Sequence, residues 1–364
     1  MLIPVLLLFM HQQVERIFDH ELPNPGGTPR LKVFFQPDKR EDPGKLSPKK
    51  FGPSHQPFEF DFVTYGLGKV RDNPNYQVRF RVFEQQRKEQ FDLTVPVTRL
   101  LLRLWEYNYY SLGWDHLSIY NDRKDDVYLC WGGTPGGEQA FDVDYQVVPP
   151  ARPYKVNTIY IYDLPSFKDP VEMVREVAHE YGHASVPPIG GYKEPEYWAN
   201  GYFGEKLFML YLYKQLQAGA LTPDDTMGAT ATQIGAWISK NINPLILRAS
   251  AHGSDQEALT DTSKEGMDAY MGLALYMSQI LPPHVFSRSM VLVGSYYAKD
   301  YPASILMACQ EPDSYPLDIP LVLRNRDLWV PIDKAKVEGA TVLKRNDGWA
   351  LIHPTSPAVT IVNR

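Results

Sequence analysis

Cysteine is scarce in this sequence: Cys130 and Cys309 are the only two in 364 residues. At most one intrachain disulfide can form, which excludes a small fold held together by a disulfide framework. Long apolar runs are missing too. The only continuous one, residues 2–10, reaches roughly half the ~20 residues that a membrane-spanning helix needs, so no stable transmembrane segment is expected. A basic excess is also lacking. With 37 Lys and Arg against 43 Asp and Glu, the formal net charge is -6, so there is no stripe to neutralise a phosphate backbone and no nucleic-acid partner is expected. Internal repeats and extended low-complexity tracts are absent.

What is present is a globular composition, 44% hydrophobic and 13% aromatic, on a chain long enough for two or three cooperating lobes. Residues 2–10 look like the hydrophobic region of an export signal, although no Lys or Arg precedes them. A secreted or periplasmic protein follows, with a buried N-terminal strand and a cytoplasmic protein as the alternative. Residues 1–22 are then the leader and the start of the mature chain. Within residues 23–125, the stretch 26–57 is dense in Pro, Gly, Lys and Asp and reads as a loop or arm. Phe58, Phe60 and Phe62, then Val78, Phe80 and Val82 opposed by Arg79 and Arg81, alternate as half-buried strands do. Val97, Leu100, Leu101, Leu104 and Trp105 recur at helical spacing. This is a β-rich lobe with one amphipathic helix. Residues 126–310 begin with strands near 127–131 and 158–162 and become mainly helical from 169, while 311–364 revert to short strands. Asn346, Asp347 and Gly348 join two of these in a hairpin. The fold class is α+β, with a catalytic region of mixed sheet and helices between an N-terminal β-rich lobe and a C-terminal β segment.

The chemistry concentrates at His179-Glu180-Tyr181-Gly182-His183. Asp169, Pro170 and Glu172 form a helix start with a capping box, Val171, Val174, Ala178 and Tyr181 share one face, and Pro187-Pro188 ends the helix. Four residues make a little over one turn, so His179 and His183 stand one above the other and can reach a single metal ion. Glu180 projects beside them, where a carboxylate can take a proton from water activated by that ion. The plainer reading is a helix that happens to carry two histidines and a glutamate.

The segment resembles the zincin metallopeptidases over residues 156–213. Within that group a metzincin would carry Gly at 186 and His at 189, where this chain has Val186 and Ile189, and Cys130 is too distant to be the thiol ligand of a deformylase. The likeness is therefore to the gluzincins, and it implies zinc, a zincin-like catalytic region, a peptide or protein substrate and a third ligand on the next helix. Trp198, Ala199, Asn200, Gly201 and Tyr202 are similar to the second gluzincin motif, with Gly201 where that family has its glutamate. The expected third ligand is Glu205, on a helix starting at Pro195, with Glu196 as the alternative. For Glu196 the plain reading is compensation of the helix dipole.

The strand at 157–162 occupies the place where gluzincins pair with extended substrate backbone; it reads equally as a core strand. Glycines at 132–137 can bring backbone close to a ligand, and Gly136, Gly137 and Glu138 faintly resemble the amino-terminus-binding motif of gluzincin aminopeptidases. Tyr270 and His252 are candidate donors to a developing oxyanion, against strong readings as packing or surface residues. Two rivals to zinc-dependent peptide hydrolysis remain. One is another zinc hydrolase on the same scaffold; the other is a non-catalytic glycan- or protein-binding module with a structural metal.

Overall fold

A computed structural model of the protein describes residues 93–114, 124–143, 155–356 and 358–364, together with strand segments between residues 20 and 85. Residues 2–10 and Phe58 lie outside the described residues. Strands β1 (Leu31–Asp38), β2 (Phe60–Val70), β3 (Asn73–Gln85), β4 (Lys124–Leu129), β5 (Gly136–Val143) and β6 (Lys155–Tyr162) belong to one sheet. Its order is His20–Glu21, β1, β2, β3, β4, β6, β5. The register β3–β4 and β4–β6 is parallel and the rest antiparallel, so the sheet is mixed. Alternation in β3 works as its pattern demands: Val78, Phe80 and Val82 are fully buried, Arg79 is exposed and Arg81 half-buried beside Asp126.

Two expectations about this sheet change. β1 lies inside the stretch read as a loop, because Leu-Lys-Val-Phe-Phe supplies β-forming residues between the prolines. β6, read either as the strand that pairs with substrate or as a core strand, is paired on both sides, as a core strand is; among the described residues the edge belongs to β5, which starts within the glycines at 132–137.

Helices cover this sheet. α1 (Thr94–Glu106) buries Val97, Leu100, Leu101, Leu104 and Trp105, the stripe that the sequence gives it, and packs on β2 and β3. α2 (Pro170–Ser185) packs on β5 and β6 and on α3 (Asn200–Gln217). Then follow α4 (Ala231–Asn241), α5 (Asn243–His252), α6 (Gln256–Thr260), α7 (Lys264–Ile280), α8 (Pro283–Val291) and α9 (Tyr301–Gln310). α7 is the apolar interior helix, with Tyr270, Leu273, Ala274, Leu275, Tyr276 and Met277 buried. A buried ion pair ties the first helix to the later ones: Asp225 accepts from Arg103 at 3.0 and 2.9 Å and from Arg99 at 3.2 Å. No helix among the described residues is long and apolar enough to cross a membrane.

Two three-stranded antiparallel sheets close the chain. β7 (Ser314–Leu317), β12 (Val359–Val362) and β9 (Lys336–Glu338) form one; β8 (Leu328–Pro331), β11 (Trp349–Pro354) and β10 (Ala340–Asn346) form the other. β10 and β11 are the expected hairpin, with Asp347 and Gly348 both at positive φ, as a two-residue turn of the right twist requires. Cys130 and Cys309 are both free and buried, and burial pushes each thiol up to about 12.

Candidate metal centre

α2 starts where its sequence says. Asp169 is extended, and its carboxylate accepts from Glu172 N–H at 3.0 Å. Glu172 in turn accepts from Lys168 N–H at 2.6 Å, one residue before the cap, so the box closes around Lys168. At the other end Val186 is extended, as the residue before Pro187 must be.

α2 and α3 touch backbone to backbone. A Cβ on Gly204 would lie 2.6 Å from Gly182 Cα, and one on Gly182 would lie 2.7 Å from the Asn200 carbonyl, so neither position admits a side chain. This contact brings the start of α3 over the histidine face of α2. Asn200 occupies the junction: its amide nitrogen faces the carbonyls of Gly182, His183 and Val186 at 3.3–3.4 Å, the orphan acceptors of the α2 terminus. With that nitrogen so engaged, Oδ1 must accept, and it lies 3.1 Å from His183 Nδ1. This contact fixes the His183 ring with Nε2 turned toward Glu196.

The second helix does not start at Pro195. The stretch before Asn200 is pinned as a loop by Ala199 N–H donating to Ile189 at 2.7 Å and Tyr192 N–H to Tyr197 at 3.3 Å, with a bridge between Gly190 and Trp198. In that loop Glu196 is free to fold back. Its Oε1 lies 3.3 Å from His183 Nε2 and its Oε2 3.5 Å from His179 Nε2. Ligand atoms of His179, His183 and Glu196 all fall within 4.8 Å of one another, a group that could hold a metal ion.

Glu205, expected as the third ligand, stands behind this group instead. Its Oε2 is 3.8 Å from His179 Nδ1, the nitrogen turned away from Glu196, and its Oε1 accepts from Arg175 Nε at 2.6 Å. The physical reason is Gly201. A Cβ there would collide with His183 Nε2 and sit 2.7 Å from His179 Nε2, so α3 runs too close to α2 for any side chain to project between them. One turn on, Glu205 has passed the Nε2 atoms and meets the back of the His179 ring.

Glu180 is buried against the sheet edge, with Oε1 4.0 Å from His179 Nε2. Room for it exists because β5 has glycine opposite: a Cβ on Gly137 would lie 2.6 Å from Oε1. Glu138, next on β5, lies 3.4 Å from the Tyr162 hydroxyl. The other two expected residues are elsewhere. Tyr270 is fully buried against the rings of Phe203 and Tyr301, and its hydroxyl has no hydrogen-bond partner among the described residues. His252 ends α5 on the surface and lines a different recess, with Arg248 and Asp255.

The histidines and carboxylates of this cluster shift one another strongly. Burial alone would lower the pKa of His179, yet Glu196, Glu205 and Glu180 push it up to about 10. Burial would raise Glu196 and Glu205, but the histidines for the former, and His179, Lys206 and Arg175 for the latter, hold both at about 2. Glu180 is pushed up to about 8, first by burial. Glu196 Oε1 is buried and has no hydrogen-bond partner among the described residues. Two imidazole nitrogens, a carboxylate oxygen and a notch kept clear at Gly201 form a donor set that could hold a metal ion.

No protein-family model matches the chain, and no curated protein matches it. Asn200, Arg175 and Tyr202, which packs edge-on to the His179 ring at 4.5 Å, support the site without having been singled out for that from sequence. The signal for Asn200 was its place directly before Gly201.

Proposed function

We propose that the protein is a zinc-dependent hydrolase of peptide bonds, in which His179, His183 and Glu196 hold the metal and Glu180 is the general base. The observation that carries the reading is the convergence of both Nε2 atoms with the Glu196 carboxylate while Glu180 stands 4.0 Å to one side. Zinc held there would acidify a coordinated water and polarise a substrate carbonyl. Glu180 takes the proton from the attacking water and returns it to the leaving nitrogen. Its burial against Gly137 keeps it dry, and its place outside the ligand group leaves its oxygens free for this task. Asn200 and Glu205 hold the two rings from behind, which keeps both Nε2 atoms facing inward.

Three protein ligands with a base beside them favour an enzyme over a purely structural site, which would close with four ligands. The third ligand comes from a loop rather than from the second helix, so the resemblance to gluzincins supports the HExxH helix but not the ligand plan as a whole. Export rests on residues 2–10 alone and stands as an expectation.

Metal analysis of the purified protein together with a digest of a mixed peptide library tests the reading. About one zinc per chain and discrete cleavage products are expected. In Glu180→Gln, zinc should remain while turnover falls at least about a hundredfold, the usual scale for a lost general base. Full activity in that variant would remove Glu180 from the role.

A further inference from the structure

Behind the metal group lies a cavity of about 370 Å³, bordered by Tyr202 and Glu205 on α3 and by Pro195, the residue before Glu196. None of the three proposed ligands lines it, but two of its walls touch them: the Tyr202 ring packs on the His179 ring, and Pro195 directly precedes Glu196. Four cationic side chains line it, Arg175, Lys206, Lys240 and Lys264, against two carboxylates, Glu205 and Asp268. Both carboxylates are already engaged: Glu205 by Arg175 at 2.6 Å, Asp268 by Lys264 at 2.5 Å. Lys206 is almost fully buried; it reaches the Tyr202 carbonyl at 3.4 Å and lies 3.8 Å from the shared Glu205. Lys240 makes no ion pair among the described residues.

Cationic side chains thus outnumber carboxylates in a recess whose other walls are Asn241, Tyr202 and mainly apolar residues such as Met267, Met271 and Trp237, with the Arg175 guanidinium 4.8 Å over the Trp237 ring. Burying an ammonium is costly unless an anion accompanies it. The buried one, Lys206, shares its carboxylate, Glu205, with Arg175. Arg175 spends only Nε on Glu205, so the rest of its fork can meet the two oxygens of a carboxylate.

Building on the peptidase reading, we propose that this cavity is a specificity subsite for a substrate carboxylate, either an acidic side chain near the scissile bond or the free C-terminus of the peptide. Stacking of Arg175 on Trp237 holds the fork in place. Lys206 supplies charge from the floor, and Lys240 and Lys264 draw the anion in from the rim, where both are exposed.

Two measurements test this separately from the chemistry. Matched peptides are compared in the zinc-loaded protein, Glu against Gln at each position flanking the cleaved bond, and C-terminal acid against amide. One of these acidic forms should be favoured about tenfold in kcat/KM, chiefly through KM, and the preference should fall toward unity in Lys240→Ala/Lys264→Ala. Which pair shows the preference tells side chain from terminus. Equal cleavage of all pairs would overturn the subsite and leave the hydrolase standing. Independently of turnover, glutarate is titrated into chelator-treated protein while Trp fluorescence is followed, with Trp237→Phe as the control. Saturable, Trp237-dependent quenching that the double variant weakens about tenfold supports the cavity even if no peptide is cut. No quenching by the wild type up to about 50 mM overturns it.

Discussion

Removing Glu196 and removing the charge of Glu205 should have effects of different size, and the difference follows from which side of His179 each carboxylate occupies. Glu196 lies 3.5 and 3.3 Å from the two Nε2 atoms, whereas Glu205 lies 3.8 Å from His179 Nδ1. A four-ligand zinc site binds with about 10–16 kcal/mol, or ~2.5–4 kcal/mol per ligand. Glu196→Ala should accordingly weaken zinc by about two to three orders of magnitude. Glu205→Gln keeps the shape beside His179 and removes the charge behind the ring, and a partner of that kind is worth about 10–100-fold in metal affinity. Glu194→Gln, an exposed neighbour of the ligand loop, is the control and should change nothing. Competition with a chromophoric chelator at neutral pH reads all three, with far-UV circular dichroism to confirm that each variant is folded. If Glu205→Gln costs more zinc affinity than Glu196→Ala, the ligand assignment is reversed and the account of Gly201 as a cleared notch fails with it.

Gly201→Ala should abolish zinc binding while leaving the helix intact, because alanine gains up to about 1 kcal/mol in helix propensity but its Cβ meets both Nε2 atoms; retention of zinc in this variant refutes the notch. In the metal-free protein the pKa of His179 is raised from 6.5 to about 10, so its stabilising contribution is complete below about 6.5 and is lost as pH climbs through about 10. The metal-free Tm should therefore fall over that window, and zinc binding at pH 8 should release about one proton, which calorimetry in buffers of different ionisation enthalpy detects; zinc uptake without proton release contradicts the assignment. Asp225→Ala leaves the buried Arg103 with only Glu106, 3.6 Å away, and should cost about 1.5–3 kcal/mol in urea denaturation, while a loss under about 0.5 kcal/mol would show that the pair matters little.

The parts of the site that were legible in the sequence are those fixed by local rules. The α2 helix carries its own cap, its own apolar face and a proline stop, and so its histidine spacing could be read directly. The third position was not legible because it depends on how closely two helices pack. Nothing local to Pro195 or Glu196 says that backbone bonds to Ile189 and Tyr192 hold those residues as a loop. Gly182 and Gly204 set that distance, and glycines at helix crossings look in sequence like ordinary helix weakeners. The sheet shows the same division. Alternation marked β3, but Gly136 and Gly137 hid the edge strand β5, since their lack of side chains is what admits Glu180.

The requirement for glycine at 201 and for an amide at 200 fixes an Asn-Gly dipeptide at the heart of the molecule, the pair most prone to spontaneous deamidation through a cyclic imide. In the native helix the Asn200 side chain is occupied by three carbonyls and a histidine. Unfolding removes that protection. An aspartate at 200 would bring a carboxylate against those same carbonyls and could no longer donate to them. Time spent unfolded is therefore recorded covalently, and the protein ages at its centre: each thermal excursion should leave a growing fraction of chains that refold without regaining their metal.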